Sequence, residues 1–326
     1  MNRQLFEYHP VIGYKFIPEL KVRLQHEAGG YLLRTNNLGF RSETDYRLEK
    51  DPAKKRILFF GDSFTAGDGV SNKYRYTDVL QQMLPETEVY NFGLPGSGTD
   101  QQFLIYKEYG HAFEYDLLVI AVLVENIRRI KSHYRYYYND EGVKMVYQKP
   151  YYDFKNGEFQ LFNTPVRQQP LKLEELPKEE HEKVDTGGRF ETARTIINAL
   201  GLKELTQKLT KYQPVPEYNK ADSPEWLIMK EILIQWCRMA KSKVLVVPLP
   251  LYQFIEETSD AGKYQERFAG LATEVPVEVY DPLPDLQQYS MADRRNFRFK
   301  DDVHPTPDGH LAIAKSLYKK IKQMVA

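Results

Sequence analysis

Three short, nearly continuous apolar runs constrain this chain more than any other feature: Arg56–Phe60 (RILFF), Leu117–Val124 (LLVIAVLV) and Lys243–Val247 (KVLVV). A strand with one wet face alternates polar and apolar residues. Runs without that alternation belong to parallel strands covered on both faces. Between them, Tyr76, Val79, Leu80, Met83 and Leu84 fall at helical spacing within Tyr74–Leu84. A strand at Val89–Phe92 and a helix near Thr99–Gly110 follow, which completes a β-α-β-α-β alternation as far as Asn126. It resumes with a helix at Glu225–Ala240, the strand Lys243–Val247, a helix near 260–273, a strand at Val277–Tyr280 and a closing helix at Asp308–Met324 with Asp308 as N-cap. Such alternation predicts a parallel sheet with right-handed crossovers, hence a three-layer α/β/α sandwich.

One domain over residues 1–326 accommodates the pattern, with its core in 55–130 and 225–326. Residues 1–54, broken by Pro10, Pro18 and Pro52, read as an extended N-terminal arm with a short strand around Tyr31–Arg34. Residues 131–224 read as a single large insertion. It holds the run YRYYYND, turn signals at Asn139-Asp140 and Asn156-Gly157, a hairpin-like YYDFKNGEFQLF and the charged stretch KLEELPKEEHEK.

Composition narrows the function. Lys plus Arg and Asp plus Glu number 45 each, a balance that excludes electrostatic capture of nucleic acid as the main activity. The single cysteine, Cys237, forbids an intramolecular disulfide and a Cys-based zinc site. The N-terminal segment has no apolar core of the signal-peptide kind, and no stretch approaches the roughly 18–20 apolar residues of a membrane span. These features predict a cytoplasmic protein. Tyrosine leads an aromatic content of 13%, which suits sugar clefts and interfaces but equally suits ordinary half-buried sheet positions.

Ligands of open parallel sheets bind outside the carboxyl ends of the strands. After RILFF stands Gly61-Asp62-Ser63, where Ser63 is either an exposed nucleophile or a helix N-cap. After the second strand comes Gly93-Leu94-Pro95-Gly96-Ser97-Gly98, a loop whose glycines can bring backbone N–H groups close to a ligand or simply turn the chain. After the third come Glu125 and Asn126, a carboxamide able to meet an oxyanion or to make a turn. Before the last helix stands Asp301-Asp302-Val303-His304-Pro305. An acid three residues ahead of His304 can fix its tautomer so that the other ring nitrogen acts as a base. A metal site of Asp301, His304 and His310 is disfavoured, because His310 falls on the first turn of a helix and nothing completes the shell. Together these residues supply the nucleophile, base, orienting acid and oxyanion donors of acyl transfer, which needs no metal or organic cofactor.

The order GDSFTAG, NFGLPGSG, VEN and DDVHPTPDGH resembles the SGNH (GDSL-like) hydrolases over roughly 55–130 and 225–326. The resemblance implies a flavodoxin-like core with Ser63 as nucleophile, His304 as base and Asp301 as its partner. It also implies an oxyanion hole from the Ser63 N–H, Gly96 and the Asn126 side chain. The segment Thr35–Arg41 (TNNLGFR) is similar to a piece of glycan-modifying esterases. Two positions depart from the family pattern. Ile127 stands where an acid usually follows the asparagine, so that loop must be held otherwise, and Phe64 follows the serine where Leu or Ile is common.

The expected activity is hydrolysis of an acyl or acetyl ester, on a carbohydrate or other small substrate. The alternatives are an O-acyltransferase using the same acyl-enzyme and an inert glycan-binding scaffold. The insertion and the arm are the only candidates for a substrate wall. Asp62, Arg41, Tyr136 and Tyr137 are the candidate substrate contacts, and tyrosines from Tyr134 to Tyr152 either stack on sugars or form the inside of a hairpin. Oligomeric state is not readable from these residues.

Overall fold

The computed structural model describes residues 5–138, 141–185 and 213–326. Its centre is a five-stranded sheet of β5 (Lys55–Phe60), β6 (Thr87–Asn91), β7 (Leu117–Leu123), β14 (Lys243–Leu249) and β15 (Glu278–Val279). The strand order is β15-β14-β7-β5-β6, and every pairing is parallel. All seven residues of β7 are buried, as its unbroken apolar run requires of a central strand.

Helices α1 (Ser63–Ala66), α2 (Tyr76–Met83), α3 (Thr99–Glu108), α4 (Pro224–Met239), α5 (Gly262–Ala269) and α6 (Pro307–Val325) cover the sheet. The chain moves from β5 outward to β6, then back across β5 to β7. With right-handed crossovers these opposite directions put α2 and α3 on opposite faces. Accordingly α2 packs on α6, while α3 packs on α4. On the α3–α4 side Phe60 meets the edge of Trp236 at 5.4 Å between ring centroids. The reversal of strand order lies between β5 and β7, so the residues leaving those two strands face a common crevice.

The closing helix begins at Pro307 with Thr306 as its cap: the Thr306 hydroxyl accepts the Gly309 N–H at 3.2 Å, and Asp308 lies inside the first turn. Proline at the first helical position needs no N–H partner, which moves the cap upstream of Asp308.

The arm is two antiparallel hairpins rather than an extended strap. Strands β1 (Phe6–His9) and β2 (Gly13–Phe16) form one, and β3 (Lys21–Leu24) and β4 (Tyr31–Arg34) the other. Ile12, Phe16, Leu33 and Phe40 are buried in the main core, so the arm folds where it can hide these side chains.

In the insertion, β8 (Tyr134–Tyr138), β9 (Lys144–Gln148), β12 (Leu171–Lys172) and β13 (Val184–Asp185) make a small sheet. The YYDFKNGEFQLF segment forms the hairpin β10 (Tyr151–Lys155) and β11 (Glu158–Phe162). Its turn places Asn156 at φ 54° and Gly157 at φ 81°, the pair of left-handed residues that a two-residue hairpin of the right twist demands. The turn signal at Asn139-Asp140 lies outside the described residues. Lys149 ties the insertion to the first turn of α3 through a close ion pair with Asp100, both side chains being buried.

Candidate active site

The exit of β5 is built for close approach. A Cβ on Gly61 would stand 2.0 Å from the Thr65 hydroxyl oxygen and 2.8 Å from the Ala121 carbonyl oxygen, so only glycine fits. Asp62 then caps α1, its Oδ1 accepting the Phe64 N–H at 3.0 Å. With the cap supplied by Asp62, Ser63 is the first residue of the helix and its hydroxyl is spared for other work.

That hydroxyl lies 2.8 Å from Nε2 of His304. On the other side of the ring, Nδ1 lies 2.7 Å from Oδ1 of Asp302. The acid beside the imidazole is therefore Asp302, not Asp301. The side-chain spacing that favours a partner three residues away is a helical rule, whereas residues 300–304 are bends. Here Oδ1 of Asp302 also accepts the His304 backbone N–H at 3.3 Å. An aspartate that binds the N–H two residues on forms an Asx turn, and this turn brings the side chain of residue i onto residue i+2. Asp301 is exposed, and its N–H donates to Glu27 at 2.9 Å.

Burial alone would lower the His304 pKa. Its bond to Asp302 and the charges of Asp68, Asp302 and Asp62 outweigh that and hold it above the ordinary imidazole value. Burial works against ionisation of Asp302, but its bonds to His304 and His26 prevail and keep its carboxyl far below the usual range. The pair is thus set for an ionised Asp302 beside a basic His304.

The loop after β6 is a turn from Leu94 to Ser97, closed by the Ser97 N–H donating to the Leu94 carbonyl at 3.2 Å. Pro95 occupies its second position and Gly96, at φ 75°, its third, as a type II turn requires. The Tyr14 hydroxyl donates to the Pro95 carbonyl at 2.6 Å, and Arg135 donates to the Gly96 carbonyl. The arm and the insertion therefore both grip this loop.

After β7, Asn126 and Ile127 are fully buried. The acid that would usually follow the asparagine is replaced by an arginine two positions later. Arg129 donates to Asn126 Oδ1 at 2.8 Å, to the Ser97 carbonyl at 3.2 Å and to Asp62 Oδ2 at 3.3 Å. It fixes the carboxamide with its oxygen toward the guanidinium, which leaves Nδ2 buried near Asp62 and, among the described residues, without a hydrogen bond of good geometry. Burial raises the Asp62 pKa, an effect that Arg129 and the Phe64 N–H oppose. The sequence offered no motif for Arg129; the missing acid was the only hint that something must replace it.

Of the four candidate substrate contacts, three turn inward. Arg41 is fully buried and donates to Asn72 Oδ1 and to the carbonyls of Gly67 and Val70. Burial and the neighbouring Arg75 lower its pKa to about 10. It staples the loop behind Ser63 and has no surface left for a ligand. Asp62 is likewise fully buried. Tyr136 packs on Val146, Leu176 and Val184, the insertion's own small core, with Lys144 Nζ 4.0 Å from its ring centre. Tyr137 instead lines a cleft with Tyr8, Tyr14, Arg135 and Tyr147 beside the Gly96 loop. Tyr152 is buried against Phe103 and Phe159, and Tyr151 stacks on His133, so the hairpin reading holds for these two.

His310 does not converge with His304. It is buried, and its Nδ1 accepts the Tyr76 N–H, the first of α2, at 3.2 Å. It caps a helix whose own preceding residue, Arg75, supplies no side-chain cap.

A family model described as GDSL-like lipase/acylhydrolase matches residues 57–317. Among solved structures, a lipolytic G-D-S-L family protein from Veillonella parvula is similar at a TM-score of 0.45 and 12% identity, covering 82% of this chain and 99% of that one. The lipase/acylhydrolase from Enterococcus faecalis is similar at 0.44 and 13%, covering 83% and 97%. An acetyl xylan esterase is similar at 0.45 and 13%, covering 82% and 99%. No curated protein matches the chain.

Proposed function

The chain belongs to the GDSL-like lipase/acylhydrolase family and is an SGNH-type serine esterase; from that premise we propose that it removes an acyl or acetyl group from a carbohydrate or other small O-acylated substrate through an acyl-enzyme on Ser63. The observation that carries this reading is the continuous contact from Ser63 Oγ to His304 Nε2 at 2.8 Å and from His304 Nδ1 to Asp302 at 2.7 Å.

In this mechanism Asp302 holds the proton of His304 on Nδ1, which leaves Nε2 as the base. His304 takes the Ser63 proton as Oγ attacks the ester carbonyl. The imidazolium then protonates the leaving alcohol. Water, deprotonated by the same nitrogen, releases the acyl group. Support for an oxyanion donor comes from Asn126, whose buried Nδ2 makes no hydrogen bond of good geometry among the described residues while Arg129 pins its oxygen. The Ser63 N–H and the Gly96 N–H complete the proposed hole.

A sugar-bearing substrate is supported by the cleft of Tyr14, Tyr137 and Tyr147 against the Gly96 loop, since tyrosines offer flat apolar faces with a polar tip. No helix among the described residues is long and apolar enough to cross a membrane.

The test is an active-site phosphonate probe together with p-nitrophenyl acetate turnover. Ser63→Ala should lose labelling and about 10⁴-fold or more in kcat, because a triad acts as a unit. Labelling at another serine, or undiminished turnover, would overturn the reading.

A further inference from the structure

The tip of the second arm hairpin reaches the acid loop at two points. His26 Nε2 lies 3.3 Å from Oδ2 of Asp302, and Glu27 accepts the Asp301 N–H at 2.9 Å. The Asp302 carboxylate is thereby divided: Oδ1 serves His304 and Oδ2 serves His26. An ionised Asp302 can only accept, so Nε2 of His26 carries the proton and donates it. The ring cannot slide away. Phe299 lies 4.4 Å from it between centroids, and a Cβ on Gly69 would approach His26 Nε2 to 3.1 Å. Gly69, at φ 85°, belongs to the loop that follows the Ser63 helix. His26 therefore sits between the segment carrying the serine and the segment carrying the acid.

We propose that His26 is a positioning residue of the active site, holding Oδ2 of Asp302 so that Oδ1 stays on His304, and that the β3–β4 hairpin is accordingly part of the catalytic unit. This rests on the triad reading above. Loop 300–304 has no helix or strand of its own to fix the carboxylate. The Asx turn restrains one oxygen only, and rotation about the Cβ–Cγ bond would carry it off the imidazole. A second donor on Oδ2 blocks that rotation.

The groups facing this pair are Asp68 on the loop after the Ser63 helix, His304 on the acid loop and Tyr31 on β4, with Glu27 beside His26 on the hairpin tip. None of them replaces the bond to Oδ2. Loss of His26 should therefore loosen Asp302 from His304 and remove part of what raises the imidazole pKa.

The experiment measures kcat, KM and the pH profile with p-nitrophenyl acetate for His26→Ala, His26→Gln and Ser63→Ala, alongside melting curves. His26→Ala should lower kcat by between about tenfold and 10²-fold, the scale of a misplaced catalytic group. KM should hold, and the acid limb should move to lower pH. His26→Gln, whose amide nitrogen stands near the place of Nε2, should recover most of the rate. If His26→Ala fails to fold, His26→Asn, whose shorter side chain cannot reach Oδ2, carries the same test. Wild-type turnover without the donor would overturn the proposal, as would a loss of kcat with the acid limb unmoved. An active Ser63→Ala would strike the acyl-enzyme reading instead, so the two failures are distinguishable.

Discussion

The two sides of the active site are held in different ways. On the serine side, Asp62, Asn126 and Thr65 are fully buried, and the chain leaves a strand of the central sheet directly into its helix. Arg129, Asn91 and Arg41 each bind several groups there, with Asn91 donating to the Thr65 carbonyl and the Thr77 hydroxyl at 2.7 Å each. On the histidine side, residues 300–304 lie in bends, with Lys300 and Asp301 exposed. That side is held by an Asx turn, by the arm hairpin and by the helix that follows. The nucleophile is thus fixed by a strand exit and a buried set of polar contacts, while the base stands on a partly exposed bend steadied by its own Asx turn and by the arm hairpin.

This contrast is sharpened most by the acid. Asp302→Asn should cut kcat/KM by up to about 10⁴-fold, the scale seen when a triad acid becomes an amide and the imidazole takes the wrong tautomer. Asp301→Asn should do little. The direction of the pH effect follows from the shift. His304 is raised above its ordinary value, so wild-type activity falls on acidification through a pKa above 6.5, as the base becomes protonated. Removing the Asp302 bond takes away the largest upward contribution and its charge a smaller one, while Asp68 and Asp62 still act, so the residual activity should persist to somewhat lower pH. A pH–rate profile of both variants decides it, and a damaging Asp301→Asn would break the comparison.

The serine side should yield less to single changes. Asn126→Ala removes a side-chain donor and should cost about 10²–10³-fold in kcat. Arg129→Met leaves the amide present but unpinned and deprives Asp62 of its counter-charge, so it should cost less than Asn126→Ala, again in kcat rather than KM. Steady-state kinetics on p-nitrophenyl acetate measures both. A larger loss for Arg129→Met would mean that it organises the loop rather than orienting one amide.

The same contrast explains what could be read from the sequence. β5, β7 and β14 announce themselves because parallel strands buried on both faces admit only apolar residues, and Ser63 and Asn126 follow from where those strands end. Asp302 is not legible in the sequence because the family resemblance and the three-residue spacing both point to Asp301, whereas in a bend the spacing that matters is two. His26 left no local signal, since its partner is 276 residues away. The arm read as extended because its hairpins are short and their apolar residues alternate; their burial comes from the core they pack on. Arg41 looked available because charged side chains rarely lie fully buried, and only three-dimensional pairing with Asn72, Gly67 and Val70 makes that possible.

The smallest effect concerns how the histidine side is anchored at its far end. α6 follows directly on the acid loop, and His310 in its first turn binds the leading N–H of α2. Burial, with Arg41 and Arg75 nearby, lowers the His310 pKa to about 3. The folded state therefore refuses a proton that the unfolded chain accepts near 6.5. By linkage, this group's contribution to stability is fully present above about pH 6.5 and is lost progressively as the pH falls toward about 3. His310→Asn keeps an acceptor where Nδ1 stands but cannot titrate in this range. The variant should melt lower than wild type at pH 7.5, because the smaller side chain leaves space in the core. Its deficit should then shrink as the pH is lowered from 6.5 to 5, since only the wild type loses the histidine contribution. The measurement is the difference in Tm between the two proteins across that range. A deficit that stayed constant would mean that His310 is protonated equally in both states, and that the anchor of the histidine side does not depend on its burying an uncharged imidazole.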